Sequence, residues 1–381
     1  MRRNHRQFAA KFGVSVSRKL VLLLFLVSYS FFSWAKAPEF SSQDEEKVPP
    51  RIIRTCCSFG SDLKMVGLPM VKVTQITSLD QLGEHKYLGS ADEGNGIIYT
   101  AKGGFIDLGH LRDQADWTAY LYLKITESNG QQDVRIPLRY EGGVKTLYLN
   151  LSDKLSDDDA QLLAGAMAYD ISVWHEIATW FGSSMIPMIP ERYSSFSIED
   201  AYSNVTGITL GIEALKSDLP YDMAMTEIIN NRLDQLGAVK TLDDTYNAME
   251  AVKDVWWTRE RKLPTRKVLL QRDLQVYPEV SPWLVSGWEG KDENPLPILV
   301  PSYTLSGKPL ADYYSFEIKL NHKFPFRKMF PDREERIITQ RDFNTLLERV
   351  EWELKDKDRL KGEVRSKYIA LDEGDPDIIF H

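Results

Sequence analysis

The longest helix signal in the chain is LSDDDAQLLAGAMAYDISVWHEIATWFG, residues 155–182. Ser156 and the three aspartates after it supply an N-cap and negative charge suited to the positive end of a helix, and Gly182 supplies a stop. The stretch between them predicts a helix of about 25 residues, ~37 Å long. Its small residues Ala164, Gly165, Ala166 and Ala168 let another helix approach closely.

Neighbouring segments repeat the pattern. SIEDAYSNVTGITLGIEALKSD starts a second helix at Ser197, where Ser-x-x-Asp makes a capping-box-like start, and places Gly207 and Gly211 one turn apart on one face. MAMTEIINNRLDQLG and LDDTYNAMEAVKDVWW add two more. Before this group, alternation over residues 71–77 and 96–109 predicts short strands. Asp107 is placed to cap a helix over LGHLRDQADWTAYLYLKI, whose aromatic later half could equally be a strand. VRIPLRY and VKTLYLNL, joined through Glu141-Gly142-Gly143, predict a hairpin. Past Leu263, KVLLQRDLQVYP, LPILVPSYTL and DYYSFEIKL look strand-like, and RDFNTLLERVEWELKDKDRLKG a charged terminal helix.

Helices grouped centrally with strands on both sides indicate an α+β fold rather than alternating βαβ units. The expected organisation is one domain over residues 51–381, with a core of four to five helices, mostly within about 156–257, and a strand and helix region over about 264–360. An apolar content of 43% is enough for a substantial core.

The amino terminus predicts an address. Arg2, Arg3, Arg6, Lys11, Arg18 and Lys19 precede the apolar run LVLLLFLVSYSFF with no acid among them, the layout of a secretory signal over residues 1–35. The run is shorter than the roughly 20 residues a spanning helix needs, so no permanent membrane span is expected after cleavage. KAPEFSSQDEEKVPP, residues 36–50, follows as a polar linker. Removing residues 1–35 takes away those six positive charges and no negative one, so the formal charge moves from −8 to −14. An acidic chain without a basic stripe makes nucleic acid an unsuitable partner. The expected location is periplasmic or secreted, and the expected partner an envelope substrate. For the adjacent Cys56 and Cys57, burial, a vicinal disulfide and an exported thiol pair remain open, with burial preferred.

The stretch SVWHEIATWFG poses the chemical question. HExxH would hold zinc with two histidines one turn apart, but position 179 is Thr, so any metal has to recruit ligands elsewhere. His110, which has Asp113 at i+3, and Glu199 or Asp200 are the available donors. The leading expectation is a metal-dependent hydrolase. His110, His175 and Glu199 are its ligands, Asp113 an added donor beside His110, Glu176 the base, and Asp200 a carboxylate orienting a ligand; zinc is the metal that suits this set. A metal-free glycan-cleaving enzyme is the alternative, with Glu176 between Trp174 and Trp180 and Glu199 or Asp200 as its partner. A binding module without catalysis, and plain core packing of His175 and Glu176, are the two further readings. Ser194, Ser195, Ser197 and Ser203 lie close by, but none sits in a GxSxG elbow. Trp256, Trp257, Trp283, Trp288, Tyr303, Tyr313 and Tyr314 make either a sugar or peptide platform or the packing between strands and helices.

RTCCSFG, GFIDLGHLRDQADWT, WHEIATWFG and SSFSIEDAYSNVTGI together resemble an uncharacterised family of exported bacterial proteins, known as a domain of unknown function. The likeness runs from about Arg51 into the last third of the chain. It implies an envelope location and a single domain, and brings no activity with it.

Overall fold

The computed structural model describes residues 48–49, 54, 57–184, 191–290 and 294–367. The expected signal, nearly all of the linker, and Cys56 fall outside them. The fold is α+β. Its centre is three helices: α1 (Leu108–Ser128), α2 (Asp157–Trp180) and α3 (Asp200–Leu215). Around them lie α4 (Tyr221–Gln235), α5 (Leu242–Ala251), the short α6 (Phe326–Met329) and the terminal α7 (Phe343–Lys367).

Local chemistry sets the ends of the central helices. Asp107 caps α1 by accepting the N–H groups of Gly109 (2.7 Å) and His110 (3.2 Å). Ser156 caps α2 by accepting from Asp159 N–H at 3.2 Å. At the other end, Gly182 adopts φ +90°, and the N–H groups of Gly182 and Ser183 return to the carbonyls of Thr179 and Ala178. That paired closure satisfies two otherwise orphaned carbonyls.

Close approach holds the three helices together. A Cβ on Gly207 would stand 2.0 Å from the Leu111 carbonyl oxygen, and one on Gly211 would stand 3.0 Å from the Ala115 backbone, so α3 lies directly on α1. Gly165 on α2 similarly seats Ile208 of α3. The second half of α1 is helical throughout, although its aromatic residues favour strands in isolation. Tyr120, Leu121, Tyr122 and Ile125 are buried in the core, and tertiary burial overrides intrinsic preference.

Strands flank this core. β3 (Ile97–Thr100) and β4 (Gly104–Asp107) form a hairpin that feeds α1, and β1 (Lys64–Met65) pairs with β2 (Leu68–Lys72). The largest sheet has four antiparallel strands in the order β10-β9-β6-β5: β5 (Val134–Pro137), β6 (Gly143–Leu149), β9 (Tyr314–Leu320) and β10 (Ile337–Thr339). The expected hairpin is therefore present, completed by strands from late in the chain. Of LPILVPSYTL only the two-residue β8 (Ile298–Leu299) is strand, paired with β7 (Glu279–Val280).

KVLLQRDLQVYP is not a strand. Residues 266–268 form a single 3₁₀ turn, and Asp273 then turns the chain by accepting the Gln275 N–H on its own Oδ1 at 2.9 Å. A side chain that binds its own backbone removes groups that a ladder would need.

Candidate active site: a carboxylate cleft beside an aromatic pocket

Three elements bring carboxylates to one place. Glu176 comes from the last turns of α2, Asp200 from the first residue of α3, and Asp273 from the irregular segment after α5. With Tyr169, Ser172, Ser197 and Asn204 they line a narrow cleft whose free volume is about 10 Å³, the room of a single water. Asn204 Oδ1 is buried in this lining and has no hydrogen-bond partner among the described residues. The same holds for Glu199 Oε1 just behind it. Buried acceptors left open in this way are uncommon and call for an explanation.

Residue 196, shortly before α3, is held under strain. Phe196 sits at φ +57°, a left-handed conformation that a bulky L-residue rarely adopts. Its N–H donates to Glu176 Oε2 at 2.7 Å, and its carbonyl accepts the Asp273 N–H at 3.0 Å. The strained residue is thus locked between Glu176 and Asp273, two of the three residues whose carboxyls face the cleft.

Burial and charge set the protonation pattern. Asp273 is pushed up to about 6 by burial, against hydrogen bonds from the Gln275 backbone and the Trp283 side chain. Glu199, 1% exposed, is raised to about 8, first by burial and then by the charges of Asp107 and Glu176; the 2.5 Å bond from Ser197 Oγ only partly offsets this. Burial, and then the neighbouring Arg266 charge, lower Arg272 to about 9 against the opposing pull of Glu176, Asp200 and Glu199, and its guanidinium donates to the Ser195 and Tyr193 carbonyls. Cys57, also buried, donates its backbone N–H to Asp107 Oδ2 at 3.3 Å, and burial pushes its thiol up.

The six residues singled out in the sequence are divided between three places. His110, Glu176, Glu199 and Asp200 come together: His110 Nδ1 lies 3.2 Å from Asp200 Oδ1, and Glu176 shares the cleft with Asp200. His175 points elsewhere, because adjacent helical residues diverge by about 100°. Its Nδ1 lies 2.5 Å from Glu141 Oε1 in the β5–β6 turn, where Lys145 Nζ also meets Glu141 at 2.6 Å. Asp113 faces the amino-terminal segment, ion-paired to Arg54 at 3.0 Å within a buried network of Arg54, Glu93, Asp116, His85 and Arg112. The trio His110, His175 and Glu199 is accordingly not gathered, and among the described residues no group of three or more His, Cys, Asp and Glu side chains is placed to hold a metal ion.

Two details differ from expectation. Ser197 does not cap α3 with its hydroxyl, which donates to Glu199 instead, although Asp200 Oδ2 does reach back to Ser197 N–H at 3.2 Å. Trp174 and Trp180 do not line the cleft. Trp174 stacks between Phe324 and Phe343, and Trp180 lies under the guanidinium of Arg266.

The aromatic wall comes from residues that the helix motif does not contain. Asp273 also lines an open pocket of about 310 Å³ with Trp256, Gln275, Ser281, Pro282, Trp283 and Leu284. Asp273 is the functional candidate that sequence reasoning missed, since nothing in LLQRDLQVYP marks one aspartate as buried. The only available signal was its position within ten residues of Trp283.

Residues 44–286 match the family described as "Protein of unknown function (DUF4056)". That stretch is more than half of the chain. The chain belongs to this family. Every residue of the cleft and of the aromatic pocket lies inside the matched stretch, whereas β9 and β10, which complete the largest sheet, lie beyond it. No curated protein and no solved structure matches the chain. No described helix is long and apolar enough to cross a membrane.

Proposed function

We propose that this chain is an exported envelope hydrolase that cleaves a glycan by acid–base chemistry between Glu176 and Asp273. One observation carries the reading: Glu176 and Asp273 face a slot with room for a single water, and Asp273 also faces an open pocket able to receive a substrate.

The roles follow from position. A water in the slot is within the reach of Glu176, which takes its proton as the oxygen attacks the glycosidic carbon. Asp273, kept protonated up to about pH 6, gives its proton to the departing oxygen. The bond to the leaving sugar breaks, the water oxygen takes its place, and the net change is addition of one water. Asp200 lies 3.2 Å from His110 and lines the slot beside Glu176. With the base-held water attacking one face of the sugar and the acid protonating the leaving oxygen on the other, such a cleavage inverts the anomeric centre. The amino-terminal signal pattern supports export, which would bring the chain to a glycan substrate.

The test is release of reducing ends from purified cell-wall glycan by the mature chain, with and without a chelator. Release that survives the chelator, with inverted anomeric configuration by NMR, supports the reading. Release abolished by the chelator and restored by zinc would replace it with metal-assisted hydrolysis.

A further inference from the structure

We infer that the Trp256–Trp283 pocket is a binding subsite for a neutral saccharide, seating one sugar of the substrate against Asp273. The inference rests on the hydrolase reading for the chemistry after binding, and names its substrate class.

The walls are built in advance. Trp256 and Trp283 meet edge to face, with ring centroids 5.6 Å apart at 85°, and both are only half-buried. Trp256 is backed by Phe105 at 6.3 Å, and its carbonyl accepts the N–H groups of Leu270 and Gln271. The Trp283 backbone rests on Gly104, at φ +62°, where any Cβ would stand 2.2 Å from the Trp283 carbonyl oxygen. Two residues on, Val285 N–H donates to Tyr99 Oη at 3.1 Å. An exposed aromatic surface fixed before binding loses little entropy when it is covered.

Its chemistry selects the ligand. A flat ring offers its negative face to the C–H face of a sugar, which is apolar and carries the positive ends of its bonds. Asp273, Gln275 and Ser281 supply the polar groups of the lining for hydroxyl groups, and Trp283 ties the ring system to the carboxyl by donating to Asp273. Among the lining residues there is no Lys or Arg, so a phosphate or uronate finds no counter-charge. A quaternary-ammonium cage is built from several ring faces converging on the cation, and perpendicular tryptophans present one face and one edge. The pocket is of a size for a sugar residue with its substituents.

The experiment measures tryptophan fluorescence and saturation-transfer NMR on the mature chain. The probes are neutral trisaccharides (N-acetylglucosamine, glucose β-1,4 and glucose α-1,4), with tetramethylammonium and inorganic phosphate as controls. Saturable binding of at least one trisaccharide, weakened tenfold or more in Trp283→Ala and largely kept in Trp283→Phe, supports the inference. Gln275→Ala, at an exposed position, supplies a second variant with the fold untouched and is expected to weaken binding severalfold. Failure of all three sugars, binding indifferent to both variants, or tighter binding of tetramethylammonium or phosphate would overturn it. The two proposals separate cleanly. Glu176→Gln that binds sugar without cleaving leaves the subsite standing whatever the wild type hydrolyses, and Glu176-dependent cleavage without sugar binding at Trp283 removes the subsite alone.

Discussion

Glu176 Oε2 accepts the backbone N–H of Phe196 at 2.7 Å, and so holds an aromatic residue at φ +57°. One carboxylate thereby does two separable things: it restrains the segment entering α3, and it faces the slot. Glu176→Gln keeps an acceptor oxygen and is expected to stay within about 1 kcal/mol of wild-type stability, while hydrolysis falls by about 10²-fold or more. Glu176→Ala leaves the Phe196 N–H without a partner and is expected to lose about 1–3 kcal/mol in urea denaturation as well. A fully active Gln variant would show that the carboxylate only supports the backbone.

Asp273 makes stability depend on pH in a defined direction. Its folded value, about 6, lies above the ordinary carboxyl value of 3.8, so the unfolded chain releases this proton first as pH rises. The contribution is greatest below about pH 4 and declines through about pH 6, by a total on the order of 3 kcal/mol. Asp273→Asn is expected to remove that decline, read as a smaller loss of stability between pH 4 and 7 in denaturant titrations. Asp170, also raised to about 6 by burial, gives a residual slope of the same sign in both proteins.

The Arg54 network fastens the amino-terminal segment to α1. Arg54 Nε meets Glu93 at 2.6 Å, and one terminal nitrogen meets Asp116 at 2.8 Å, all of them almost fully enclosed. Removing one partner leaves the others charged and buried, so Arg54→Ala is expected to cost about 3–5 kcal/mol by urea denaturation. Glu93 and Asp116 are both held below their ordinary range, with the Arg54 guanidinium overcoming burial. Their contribution is present above about pH 4 and fades as pH falls through their lowered values, so the wild type and Arg54→Ala should converge in strong acid.

His175 separates the metal-free reading from the metal-dependent one. Its ring faces Glu141, and Lys145 and His175 together hold the Glu141 carboxyl well below the usual range despite its burial. His175→Ala is therefore expected to cost about 1–3 kcal/mol of stability, with glycan hydrolysis retained and metal content unchanged by elemental analysis. Parallel loss of activity and of bound metal would return His175 to the site.

Much of this was legible in the sequence where the cause is local. Asp107 and Ser156 cap the helices they were expected to cap, and Gly207 and Gly211 mark the face on which α3 meets α1, because capping and close approach depend on residue type at short spacing. The convergence of His110, Glu176, Glu199 and Asp200 could be foreseen, since their helices follow one another and pack together. The direction of His175 could not, because its partner Glu141 lies 34 residues away in a hairpin turn. Asp273 was likewise hidden: its burial follows from a turn it makes itself and from Phe196, 77 positions earlier. Long-range pairing of this kind leaves no periodicity to read.

The most direct test of the central claim, that Asp273 and Glu176 work as acid and base across one slot, is the pH dependence of reducing-end release by the wild type and by Asp273→Asn. The predicted result is a wild-type rate that falls above an apparent pKa near 6, and an Asn variant slower by about 10²-fold or more with that alkaline limb gone. An Asn variant that hydrolyses at the wild-type rate, with the limb still in place, would contradict it.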